Sequence, residues 1–254
     1  MDFTIDKYRE LLLALQGSGY ELMRYDEFCG GKRAEKMIVM RHDVDRSVKK
    51  ARRLARVENE MGVRASYYFR EKFIGDDMVC IVSLEHEVGY HYEELVTEKG
   101  DVERAYARFM RNVCALRELV DVKTITMHGS PMSGIDAKRI WEKYDYREMG
   151  VIGEPQIDVD WGEMFYLTDT GRSWNGVSRR DKVALMQSEW EAKGWMYETT
   201  DDVIRALREG RFPKRAMMTT HPQRWADSWG EWMWELMMQG VKNFVKKFFI
   251  RNKE

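Results

Sequence analysis

The stretch that decides the fold is Lys36–Arg46, KMIVMRHDVDR. Its apolar half, MIVM, is too short for a helix and reads as a strand buried on both faces. Behind it, Ser47 to Met61 (SVKKARRLARVENEM) carries helical periodicity. Between the two lie His42, Asp43 and Asp45. Asp is a favoured N-cap, so the pair can simply start the helix. Two carboxylates and an imidazole at the carboxyl end of a buried strand are also where α/β enzymes gather their chemistry. Only one residue can cap a helix, and His42 adds a third polar group, so the functional reading is favoured.

Outward from this stretch the same alternation repeats. Strand patterns fall at KMIVMRH, RASYYFR, EVGYHY, KTITMH, MFYLTD, WMYET and RAMMTTH. Helical patterns lie between them, near Ser47 to Met61, Asp77 to Glu85, Asp101 to Leu119, Ser133 to Lys143, Asp181 to Ala192 and Thr200 to Glu209. Strand–helix–strand order implies parallel strands with helices outside, as an open sheet or a barrel. The 254 residues, 44% hydrophobic with only four prolines, show no linker and read as one domain over 1–254. Within it, 1–35 form an N-terminal helix and lead-in, and 226–254 a C-terminal amphipathic helix.

Forty-two Lys and Arg against 43 Asp and Glu give no reason to expect a nucleic-acid partner. The acidic, amphipathic start does not resemble a signal peptide, and no apolar window is long enough to span a membrane. A cytoplasmic location is expected. Cys29, Cys80 and Cys114 are odd in number and widely spaced, which suits reduced core thiols.

Four of the five histidines close strand patterns. His42, Asp43 and Asp45 follow the first, His91 and Glu93 the third, His128 the fourth, Asp169 the fifth and His221 the last. In a parallel barrel those ends share one mouth. His86, in a helix-to-strand turn, reads as structural. Imidazole and carboxylate are ligands for zinc and other borderline divalent ions. Such an ion activates water and polarises a carbonyl, while a free carboxylate takes a proton and a His returns one to the leaving group. Amide or ester hydrolysis is the chemistry this set suits.

HDVD, EHEVGYHYEE and MMTTHP resemble motifs of the NodB-homology polysaccharide deacetylases, carbohydrate esterase family four, over about Met37 to Trp225. The resemblance implies a distorted (β/α)7 barrel and deacetylation of N-acetylated sugars. It makes Asp43 the catalytic base, Asp45 and His91 metal ligands and His221 the group that protonates the leaving amine. RHDVDRS, GYHYE, MHGSP, YLTDTGRSW and HPQRW together look closest to the WbmS-like branch of surface-polysaccharide loci. The pattern departs at Leu95, where the family's HEIGxHxxxH motif has its second His, and the family's third motif is replaced by HGSP. Glu93 or His128 is then left to complete the metal site, with zinc expected ahead of cobalt, manganese or iron. In YLTDTGRSWNG, Asp169, Arg172 and Trp174 combine an acceptor, a planar donor fork and a stacking face suited to a sugar. Asp169 and Arg172 are also expected to position the catalytic groups from behind, and His42 to join them or touch substrate.

The carboxyl end, SWGEWMWELMMQGVKNFVKKFFIRNKE, repeats apolar residues at helical spacing with lysines between. It suits a helix covering the barrel, a dimer contact, or a helix lying on an anionic membrane. The expected activity is removal of an N-acetyl group from a sugar of a surface polysaccharide or of its nucleotide- or lipid-linked precursor. A metal-free C–N hydrolase on the same barrel and a non-catalytic glycan-binding or assembly protein are the alternatives.

Overall fold

The computed structural model describes residues 1–130, 133–174 and 183–238, with the side chains of 183–185 left aside. Seven strands, β1 (Glu21–Met23), β2 (Met37–Val44), β3 (Ser66–Phe69), β4 (Glu87–Tyr92), β5 (Ile125–Met127), β6 (Phe165–Thr168) and β7 (Arg215–Thr220), form one sheet. All pairings are parallel, in the order β5-β4-β3-β2-β7-β6. Every residue of β2 is buried, as the continuous apolar run implies for a central parallel strand. Along one edge β2 meets β7; along the other its first half meets β1 and its second half β3. The strands curl into an open half-barrel of the (β/α)7 type with helices packed outside. Beyond β5, the chain at Ile152 and Gly153 extends the wall through Ile125 N to Gly153 O and Ile152 N to Lys123 O bonds.

The helices are α1 (Ile5–Gly17), α2 (Tyr25–Cys29), α3 (Val48–Glu60), α4 (Asp77–Val82), α5 (Glu94–Thr97), α6 (Val102–Arg117), α7 (Pro155–Asp158), α8 (Val183–Ala192) and α9 (Thr200–Arg208). Helical backbone also runs over 229–238, here α10. Ser47 caps α3, its hydroxyl accepting from Lys50 N at 3.3 Å, so neither Asp43 nor Asp45 is spent as a cap.

Six of the seven strand patterns become strands. WMYET does not: Tyr197 is held by rings of Phe165 and Phe212, and Thr199 caps α9 in a capping box with Asp202. The strand taking its place in the count is β1, three residues long and unread in the sequence because so short a segment has no periodicity. Ser133 to Lys143 is helical only as a 3-10 turn over Ala137–Glu142, and the first two residues of the Asp181–Ala192 pattern lie outside the described residues. So do 239–254 of the C-terminal helix. The three cysteines are unpaired; Cys114 is exposed rather than a core thiol.

Candidate metal centre at the strand ends

Because a strand sends alternate side chains to opposite faces, Arg41, Asp43 and Asp45 point one way and His42 and Val44 the other. The first set enters the mouth. Arg41 Nε and Nη2 donate to the two oxygens of Asp43, both at 2.8 Å, in a buried fork. Burial disfavours the Asp43 carboxylate, but Arg41, His91 and His221 outweigh it and hold its pKa below the ordinary value.

Asp45 lies where three histidines converge. His91, on β4, donates from Nδ1 to Thr126 O at 3.0 Å, which leaves Nε2 as the free nitrogen facing the mouth. His128 follows β5, its backbone N donating to Tyr92 O at 2.8 Å. His91 Nε2, His128 Nδ1 and Asp45 Oδ1 form a triangle with edges of 3.1, 3.2 and 3.5 Å. Donors about 2.0–2.1 Å from a tetrahedral zinc stand roughly 3.3–3.4 Å apart, so the triangle has the size of one face of such a site. Asp45 Oδ1 is buried without a hydrogen-bond donor in good geometry, as a ligand oxygen would be. The three residues therefore fit a divalent ion by donor type and by spacing. Burial opposes the charge on Asp45, but the facing imidazoles of His128, His91 and His221 lower its pKa; that of His128 is lowered first by burial and then by His91 and Arg70, against the raising effect of Asp45.

The two groups expected to move protons flank this triangle. Asp43 Oδ2 is 3.8 Å from His91 Nε2 on one side, and His221 Nε2 is 3.8 Å from Asp45 Oδ2 on the other. His221 is aimed by Asp169, whose Oδ1 accepts from His221 Nδ1 at 2.6 Å and whose Oδ2 accepts from His221 N at 3.0 Å. Asp169 is fully buried and also accepts from Trp225 Nε1 at 3.0 Å and Arg224 Nη1 at 2.9 Å.

The remaining expected site residues sit elsewhere. Glu93 is taken by Arg70, whose Nε donates to it at 2.8 Å, and its other oxygen is 3.9 Å from His128 Nε2, so it stands at the rim rather than in the triangle. His42 faces α3, donating from Nε2 to Glu58 at 2.8 Å with Nδ1 against Thr220 Oγ1 at 2.5 Å. It belongs to a core network with Tyr8 and Tyr67, because its strand parity is opposite to that of Asp43. Arg172 does not reach Asp169 with its side chain: its guanidinium lies over the rings of Phe3 and Trp232. The arginine that pairs with Asp169 is Arg224. Trp174 is buried, donates from Nε1 to Thr200 Oγ1 at 2.9 Å, and packs on Phe3, so it offers no sugar platform. His86 is structural as expected, bonded to Ala65 N and Ala55 O. Sequence reasoning missed Arg41 and Arg224. Strand parity would have found the first, and HPQRW, which contains the second, was in view.

No protein-family model matches the chain, and no curated protein sequence matches it. Among solved structures it is similar to a CE4 esterase of Streptococcus mutans, at 13% identity over 87% of each chain and a TM-score of 0.45. It is also similar to a CE4 family pseudoenzyme of Bacillus anthracis, at 12% identity and a TM-score of 0.41 over 84% of this chain, which spans 62% of that one. Peptidoglycan deacetylase PdaC of Bacillus subtilis aligns at 10% identity and a TM-score of 0.38, over 84% of this chain and 97% of its own.

Proposed function

We propose that the chain is a metal-dependent hydrolase that removes an N-acetyl group from a sugar. The observation that carries this reading is the triangle of Asp45, His91 and His128, with Asp43 and His221 placed on either side of it. Asp45, His91 and His128 would hold the ion, zinc ahead of cobalt, manganese or iron. Bound there, it would supply a Lewis acid for the acetyl oxygen and lower the pKa of a water. Asp43, kept ionised by Arg41, accepts the water's proton. His221, with its Nδ1 proton committed to Asp169, presents Nε2 to the leaving nitrogen and protonates it. The substrate we assign is a nucleotide- or lipid-linked precursor of a surface polysaccharide, met in the cytoplasm, as the likeness of RHDVDRS and MHGSP to the surface-polysaccharide branch suggests.

The test is acetate release from N-acetylated sugar nucleotides by zinc-loaded protein, with zinc content measured on the same samples. Asp43→Asn is expected to keep its zinc and lose turnover, His91→Ala to lose both. Wild-type protein that takes up no divalent metal, or an active Asp43→Asn, would refute the mechanism.

A further inference from the structure

The helix α10 is turned the wrong way for a helix that closes a core. Glu231, Trp232 and Glu235 share the side that meets the body. Glu231 Oε2 lies 3.0 Å from Arg53 Nη2 and 3.5 Å from Lys50 Nζ. Trp232 Nε1 donates to Asp2 O at 2.7 Å, and Glu235 acts electrostatically on Arg172. At about 100° per residue, Trp229, Met233, Leu236 and Met237 fall within one arc opposite that side, with Trp234 beside them. All five are exposed, Trp229 at 65% and Trp234 at 62%. The body is gripped through ion pairs and the Trp232 hydrogen bond, and among the described residues nothing covers the apolar face.

The sequence beyond indicates what covers it. Residues 239–254 hold Lys242, Lys246, Lys247, Arg251 and Lys253 against one acid, Glu254. Two copies meeting through this end would bring five cations against five, so the charge favours an anionic surface over self-association. Exposed tryptophans beside clustered lysines are what the headgroup region of an anionic bilayer takes up. No helix of the described residues is long and apolar enough to cross a membrane, so the contact is peripheral. We propose that α10 and the basic segment after it dock the protein on an anionic phospholipid surface. The helix is tied to the mouth through side chains: Lys50 pairs with Glu231 and donates to Gln223 O at 3.2 Å, and the Gln223 side chain reaches Asp45 at 3.4 Å. The inference stands on the helix face and the charge pattern and does not depend on the metal site.

The experiment is co-sedimentation of the full chain with sucrose-loaded vesicles, of phosphatidylcholine alone and of phosphatidylcholine mixed with phosphatidylglycerol, at low and high salt. Light scattering follows the oligomeric state without lipid. Wild type is expected to pellet with the anionic vesicles, less so at high salt. The double variant Trp229→Ala, Trp234→Ala, at exposed positions that leave circular dichroism unchanged, should bind them at least about tenfold less. Equal recovery of wild type and double variant, or no preference for anionic vesicles, would overturn the proposal. A dimer abolished by the double variant, with no vesicle binding, would do so too and identify a second copy as the occupant.

Discussion

Glu154 offers the sharpest test of how the barrel wall is built. It caps α7, is fully buried, and accepts from Met127 N at 3.0 Å and Ile157 N at 2.9 Å. It thereby pins the strand that presents His128. Burial raises its pKa to about 7, against the lowering effect of the Met127 bond and of Arg41. The group is an acid with a raised folded pKa. Well below pH 4.5 both folded and unfolded chains hold the proton and it contributes nothing. As pH rises toward 7 the unfolded chain gives up its proton first, so stability falls, and above about 7 the loss is complete. A shift from 4.5 to about 7, at roughly 1.4 kcal/mol per unit, makes that loss about 3 kcal/mol. Glu154→Gln carries no titrating proton. Whatever fixed cost the amide has against one of its two backbone donors, the variant should gain about 3 kcal/mol on wild type between pH 4.5 and 8. Glu87, also raised to about 7, is present in both chains and cancels. Urea unfolding of both proteins in chelated buffer across that range measures the difference directly. A difference that stays constant with pH would show that Glu154 is ionised in the folded chain throughout and would refute the reasoning.

Three further outcomes follow from the side chains. Zinc at a hundred times its dissociation constant should raise the unfolding free energy of wild type by about 2.7 kcal/mol and that of His91→Ala by nearly nothing, read from urea midpoints with and without metal. Replacing Glu58 by Leu strands the Tyr8 and Tyr67 hydroxyls and His42 Nε2, and should cost about 3–5 kcal/mol in the same assay; a neutral result would mean the core carboxylate is dispensable. Arg224→Met, by loosening Asp169 behind His221, should slow acetate release about a hundredfold, whereas Arg172→Met should leave it about unchanged; the reverse order would restore Arg172 as the partner of Asp169.

The strand ends were legible because their signal is local. An apolar run followed by HDVD, GYH, MH and TTH marks where buried strands stop, and parallel pairing brings those stops to one face. Side-chain direction was legible too, through period-2 alternation, and applying it strictly would have moved His42 to the α3 face and added Arg41 to the mouth. The partner of Asp169 was not legible. Arg172 is three residues away in sequence and Arg224 fifty-five, and the choice rests on a turn: Arg172 has a φ of 62°, and its guanidinium lies over Phe3 and Trp232. Trp174 misled for a related reason. An aromatic beside a loop motif reads as a platform until the residues that bury it, Phe3 and Thr200, arrive from distant parts of the chain.

The geometry around Leu95 shows how the candidate metal set forms without a side chain from that position. Leu95 is 2% exposed, the second residue of α5, in the hydrophobic core. A polar side chain there would need a partner in that core. The third donor, a second imidazole nitrogen, comes instead from the neighbouring strand: β4 and β5 pair with His91 opposite Thr126, and the chain runs two residues further to His128. The same Thr126 carbonyl accepts the His91 Nδ1 proton, so one register both supplies His128 and frees the Nε2 that faces it. The site is thus set by the pairing of two strands as much as by any one motif. A shift of that register by one residue would break both contacts together.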